Sequence, residues 1–149
     1  MLEAVKLREV IPGRAKVVVG GMAEGKALIS SQPITFFGGV DPRTGEVVED
    51  GHEIRGERLS HKVLVFPHGK GSTVGSYVLY SLAKRGVAPA AIINERFDAI
   101  IASGCIISGI PLLIVPGMSL DRIRKGDKIR IDGRDGRIEV LGRGSRKRP

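Results

Sequence analysis

Lys62-Val63-Leu64-Val65-Phe66-Pro67-His68-Gly69-Lys70-Gly71-Ser72-Thr73-Val74-Gly75-Ser76 passes from an apolar, β-branched run into a glycine-flanked hydroxyl and on into an amphipathic segment. Lys62 to Phe66 predicts a buried strand. Pro67 to Gly71 can break the chain direction before a helix opens near Ser72 or Thr73. Val74, Val78 and Leu82 recur at i, i+4 and i+8 with Leu79 beside them, so one helix face is apolar and can lie on a sheet. Gly86 supplies the stop. A strand turning directly into a helix that packs back on it sets the middle of the chain as α/β.

Upstream, Ala15 to Gly20, Lys26 to Ser30 and Ile34 to Phe36 are short strand-like runs separated by glycine-containing turns. Gly38 to Gly45 reads as a loop with two turn signals, Gly-Gly and Asp-Pro, and Glu46 to Glu49 as a possible further strand. Downstream, Ala90 to Asn94 follows Pro89, and Asp98 to Gly109 is rich in small residues. Pro111 to Val115 is a continuous apolar run of the kind covered on both faces. Asp127 to Asp132 and Arg137 to Leu141 flank Gly133-Arg134-Asp135-Gly136, which predicts a closing C-terminal β-hairpin. Residues 1–142 are thus expected to form a single domain, and 143–149 a basic, mobile tail.

Composition narrows the function classes. At 149 residues and 42% hydrophobic, the chain can bury a core without disulfides or a structural metal. One cysteine, Cys105, excludes an internal disulfide framework and falls short of the thiolates an iron–sulfur cluster takes. Met1 to Gly13 is charged throughout and no apolar run has the length of a membrane span, so the expectation is a cytoplasmic chain with no membrane partner. The net charge of +8 raises nucleic-acid binding, but residues 1–121 hold 13 Lys/Arg against 12 Asp/Glu, and residues 122–149 hold 11 against 4. The basic excess lies near the end, is interleaved with Asp127, Asp132 and Asp135, and has almost no aromatic residues for base stacking. No nucleic-acid partner is expected.

The chemistry centres on Ser72. At a strand-to-helix junction the first helical N–H groups lack intrahelical partners and favour negative charge, so a serine alkoxide or a substrate carboxylate is stabilised there. Gly69 and Gly71 let the backbone approach a ligand closely. The plainer reading is that Ser72 is an N-cap, the usual task of serine before a helix. Lys70 stands two residues before the serine and the glycine spacing is wrong for a phosphate-binding loop. Lys70 itself reads as a solvated loop lysine or as a source of charge for the loop. His52, His61 and His68 have no metal-ligand spacing and are expected to be exposed loop or turn residues, with His68 alone near Ser72. Cys105, among Ala102, Ile106 and Ile107, reads as a buried inert thiol, and Asp41 as a turn cap or an orienting group.

Three ordered blocks carry a resemblance: Gln32 to Gly45, Gly69-Lys70-Gly71-Ser72 with Gly75-Ser76, and Gly86 to Ile93. Over nearly the whole chain they resemble the small subunit of the aconitase X family. The resemblance implies a swivelling β/β/α domain, and a Gly-x-Gly-Ser loop whose serine, Ser72, is the proton acceptor, with Gly71, Ser72 and Thr73 touching substrate. Aconitases proper follow that serine with a second serine and a substrate-binding arginine; Thr73 and Val74 stand in those places, so the arginine contact does not transfer. The resemblance further implies a large catalytic subunit that holds an iron–sulfur cluster, while this chain binds no cofactor or metal. The reaction implied is dehydration of a small-molecule phosphorylated hydroxy acid. Within the family the archaeal mevalonate branch fits best, removing water from (R)-5-phosphomevalonate to give trans-anhydromevalonate 5-phosphate, with cis-3-hydroxyproline dehydration as the alternative. A phosphohistidine swivel domain shares this layout and an element like Gly109-Ile110-Pro111, but it needs a histidine just upstream, and residues 99–108 contain none.

Overall fold

A computed structural model of the chain describes residues 9–10, 15–117 and 122–144. In chain order its strands are β1 (Glu9–Val10), β2 (Lys16–Val19), β3 (Met22–Ile29), β4 (Ile34–Thr35), β5 (Val63–Phe66), β6 (Gly69–Lys70), β7 (Ala91–Asn94), β8 (Leu112–Ile114), β9 (Lys128–Asp132) and β10 (Arg137–Gly142). Helix α1 (Gly75–Lys84) lies between β6 and β7, and α2 (Ala99–Ser108) between β7 and β8. The main sheet runs β1-β10-β9-β3-β5-β7-β8-β2, and β4 pairs with β6 apart from it.

Strand alternation sorts the apolar side chains into two layers, because successive residues face opposite sides of a sheet. Leu28, Leu64, Phe66, Ile92, Leu112 and Ile114 face one way and meet α1 and α2 through Val78, Leu79, Leu82, Ile101 and Cys105. Ala27, Val63, Val65, Ala91, Ile93 and Leu113 face the other way and meet Ile129, Ile131, Ile138 and Val140 of the closing hairpin. The result is the expected β/β/α sandwich: hairpin layer, parallel layer, helix layer. β3 joins the two sheet layers, antiparallel to β9 along Met22–Lys26 and parallel to β5 along Ala27–Ile29.

The two helices pack in close contact. Ser76 Oγ donates to Ile100 O at 2.8 Å, and a Cβ added to Gly104 would lie 2.5 Å from Leu79 Cδ1. The small-residue stretch after Asp98 is therefore α2, capped by Asp98, whose side chain accepts from Ile101 N–H, and ended by Gly109 in the left-handed region. α1 ends as expected, with Gly86 at φ +73°. Among the described residues no helix is long and apolar enough to cross a membrane.

Three expectations are corrected. Glu46 to Glu49 forms no strand; its only β-pairings are the isolated bridges Val40–Val47 and Glu46–Arg58, and Val47 is buried in the helix-side core with Ile34, Phe36, Val40, Ile54 and Leu59. Val74 is 42% exposed and precedes the helix, so its apolar side chain is not on the sheet-facing stripe. His52 is 7% exposed rather than an exposed loop residue, since its ring serves two backbone partners described below. Of the expected tail, Arg143 and Gly144 bind Asp127, and residues 145–149 lie outside the described residues.

Gly104→Ala is expected to destabilise the domain by about 1–3 kcal/mol, because overpacking at the α1–α2 contact outweighs alanine's gain in helix propensity. Urea unfolding followed by circular dichroism checks this; an unchanged or raised midpoint would contradict the close contact.

Candidate active site

The loop that carries Ser72 is built by two short pairings. After Phe66 the chain turns through Pro67 and His68, and Gly69–Lys70 pairs in parallel with Ile34–Thr35. Gly71 then takes φ +88° with its Cα side against Thr35, where an added Cβ would lie 2.8 Å from Thr35 Cγ2. Only glycine accepts both conditions at once. A helical turn precedes α1: Gly75 N–H donates to Ser72 O at 3.0 Å, and Ser76 N–H to Thr73 O at 3.2 Å. Ser72 Oγ accepts from Val74 N–H at 3.1 Å. The N–H groups of Ser72 and Thr73 find no acceptor among the described residues. Gly71, Ser72 and Thr73 are all exposed.

Ser72 is not the N-cap of α1: the cap position is Val74, with no side-chain cap hydrogen bond, and Ser72 Oγ instead accepts from the Val74 N–H two residues on, ahead of the helix. It sits where partial positive charge from an incipient helix favours an oxyanion. Two further N–H groups remain open for a ligand.

Lys70 is committed elsewhere. Its Nζ lies 2.9 Å from Glu49 Oε2, while Glu49 Oε1 accepts from Thr35 N–H at 3.2 Å. Partial burial works against the charged carboxylate, but the Lys70 hydrogen bond, the Thr35 N–H and the Lys70 charge together hold the Glu49 pKa below its ordinary value of 4.5. Beside this pair, His52 Nε2 lies 3.0 Å from Pro33 O and its Nδ1 accepts from Ile54 N–H at 3.3 Å, which fixes the Nε2–H tautomer. His52 thus holds the segment leading into β4. His61 is exposed, at φ +60°.

His68 does stand beside the loop, half-buried. Its Nδ1–H donates to Gly69 O at 2.7 Å, leaving Nε2 to accept from an Arg96 NH2 group at 3.0 Å. Arg96 is a residue that the sequence reading did not single out; its signal was its place just after a parallel strand, where α/β sheets collect ligand-binding groups. At the end of that strand, Asn94 is fully buried and donates to Phe66 O at 3.0 Å, tying β7 to the point where the serine loop departs. Asp41 caps its turn, accepting from Arg43 N–H at 2.9 Å.

The residues do not fit an iron–sulfur cluster. Cys105 is 0% exposed, burial pushes its thiol up to about 12, and no three His, Cys, Asp or Glu side chains among the described residues come together to hold a metal ion.

A β/β/α sandwich that lifts one glycine-flanked serine to its surface defines a swivelling domain of the aconitase type. Comparisons with known proteins agree: the family model of the aconitase X swivel domain matches residues 12–140, and the chain belongs to that family. It is 47% identical over 131 residues to the phosphomevalonate dehydratase small subunit of Pyrococcus furiosus, covering 88% of this chain and 96% of the relative. It is 50% identical over 132 residues to the protein of the same name from Methanosarcina mazei, covering 88% and 92%. The crystal structure of Thermococcus kodakaraensis aconitase X in its holo form superposes with a TM-score of 0.80 at 46% identity, covering 85% of this chain and 95% of that one.

The Glu49 arrangement sets a pH dependence. A carboxylate whose folded pKa is depressed contributes stability fully above its unfolded value, and that contribution is lost as pH falls through the lower folded value. The Thr35 amide resonance is expected to titrate with a midpoint below 4.5, and Glu49→Gln to abolish the step. A Thr35 midpoint at or above 4.5 would contradict the pairing.

Proposed function

We propose that this chain is the small subunit of a heteromeric hydro-lyase that removes water from (R)-5-phosphomevalonate to give trans-anhydromevalonate 5-phosphate, and that Ser72 accepts the proton. The observation that carries this reading is the exposed Gly71-Ser72-Thr73 loop in a chain about half identical, over nearly its full length, to subunits of that name. The name "small subunit" supports a larger partner, and in this reading the partner holds the iron–sulfur cluster. The complex works in the cytoplasm without nucleic acid or membrane. The basic C-terminal hairpin supports the reading without nucleic acid: Arg134 pairs with Asp132 at 2.8 Å, Arg137 with Glu139 at 3.0 Å and Arg130 with Glu24 at 2.8 Å. Its cations face acids of the same chain.

The chemistry follows from a β-hydroxy acid. The proton on the carbon next to the carboxylate passes to Ser72 Oγ, the electron pair of that C–H bond becomes the new double bond, and the C–O bond to hydroxide breaks. A serine must first lose its own proton, which it does only in a site that stabilises the alkoxide. The Val74 N–H already points at Oγ, and closure of the larger subunit over the loop would exclude water and strengthen that dipole. Hydroxide departs poorly unaided, and the reading leaves that half of the reaction to the partner.

The partner would meet the face that carries the loop. Phe37, Val74 and Tyr77 are exposed apolar side chains around a groove that begins next to Thr73.

Ser72→Ala is expected to lower turnover of anaerobically reconstituted complex by roughly 10²–10⁴-fold, with folding and subunit association unchanged. Retained activity would remove Ser72 as the base, and turnover of cis-3-hydroxyproline in place of phosphomevalonate would remove the substrate assignment. Tyr77→Asp is expected to weaken subunit association at least tenfold, about 1.4 kcal/mol, by sedimentation or calorimetry; unchanged affinity would move the interface away from α1.

A further inference from the structure

We propose that Arg96 is the oxyanion-binding group of this subunit, gripping an anionic end of the substrate beside the Ser72 loop. Three observations converge. First, the cation is uncompensated: among the described residues Arg96 has no carboxylate within ion-pair distance, and its recorded partner is the neutral ring of His68 at 3.0 Å. Lys70, the other cation next to the loop, is answered by Glu49 at 2.9 Å. Secondly, Arg96 lines a recess of about 500 Å³ whose other walls include His68, Ser31 and the prolines 33, 67 and 116. This recess lies at the carboxyl ends of β5, β7 and β8, the edge at which parallel sheets bind ligands. Thirdly, the guanidinium is positioned. Arg96 N–H donates to Pro67 O at 3.3 Å, Glu95 N–H to the same oxygen at 2.9 Å, and His68 is itself fixed by Gly69 O.

One Arg96 N–H thus goes to His68 Nε2, leaving other donors of a rigid fork for a phosphate or carboxylate. Glu95 also lines the recess, exposed and unpaired with Arg96, so an anion would be drawn to the arginine side of the mouth. His68 is then a positioning residue, holding Arg96 without taking its charge.

The inference rests on the dehydratase reading for its kinetic test, and a second measurement stands apart from it. In reconstituted complex, Arg96→Ala is expected to raise KM for phosphomevalonate about 10- to 100-fold with kcat changed little, and Arg96→Lys to recover part of the loss. Wild-type turnover with an unaltered KM in Arg96→Ala would overturn the role while leaving the proposed function intact. Independently, NMR titration of the full chain with inorganic phosphate, and separately with acetate, is expected to shift His68 and Arg96 resonances in the wild type and not in Arg96→Ala. A response to phosphate alone assigns the phosphoryl group to Arg96, and an equal response to acetate assigns the carboxylate. Shifts with neither anion would refute the site whether or not the complex acts on phosphomevalonate.

Discussion

The double pairing of β3 is the constraint from which the rest follows. One continuous strand serves the hairpin layer with its first half and the parallel layer with its second, so both sheets take their register from it. The changeover at Ala27 is fastened from the far side: Ala27 N–H donates to Asp127 O at 2.8 Å, and Gly126 N–H donates to Ala27 O at 2.9 Å. Asp127 is 0% exposed, and its carboxylate accepts from Arg124 N–H, Gly144 N–H and the Arg143 guanidinium. A buried charge is tolerable only when so paired. The sheet junction and the C-terminal strand therefore stand or fall together.

From that junction the position of the serine follows mechanically. β5 is registered on β3, β7 on β5, and Asn94 clamps the ends of β5 and β7 at Phe66 O. The loop leaves from that clamped end, is pinned to β4 through β6, and hands over to α1. The strand registers use main-chain hydrogen bonds, and the Asn94 clamp adds a buried side-chain amide bond. The result is a rigidly mounted loop whose tip, Gly71 to Thr73, is exposed.

The parts legible in the sequence were those where one local period dominates. Val63 to Phe66, Pro111 to Val115 and the closing hairpin carry strand patterns that no neighbour overrides, and glycines 69 and 71 marked the loop. The rest depended on distant partners. α2 is apolar on nearly every side, with Ile106 and Ile107 exposed and Ile101 and Cys105 buried, so no amphipathic stripe announced it. Val47 reads locally as strand but is buried in the helix-side core, whose residues run from Leu28 to Ile114. In the site, Ser72 was visible because its glycines are adjacent in sequence. The Glu49 that claims Lys70 and the Arg96 that leans on His68 reach the loop from other segments, which spacing along one chain does not reveal.

The lone cysteine has a practical consequence. Cys105 sits with no exposed surface between the helices and the sheet, and its thiol ionises only near 12. Thiolate is the reactive form, so ordinary alkylating reagents and mild oxidants at neutral pH have almost nothing to attack. The native chain is in effect thiol-silent. A reporter dye or spin label attached to one cysteine introduced on an exposed position of α1, such as Tyr80, would be the sole label on this subunit, and a distance from α1 to a labelled larger subunit can be read without first removing any native residue.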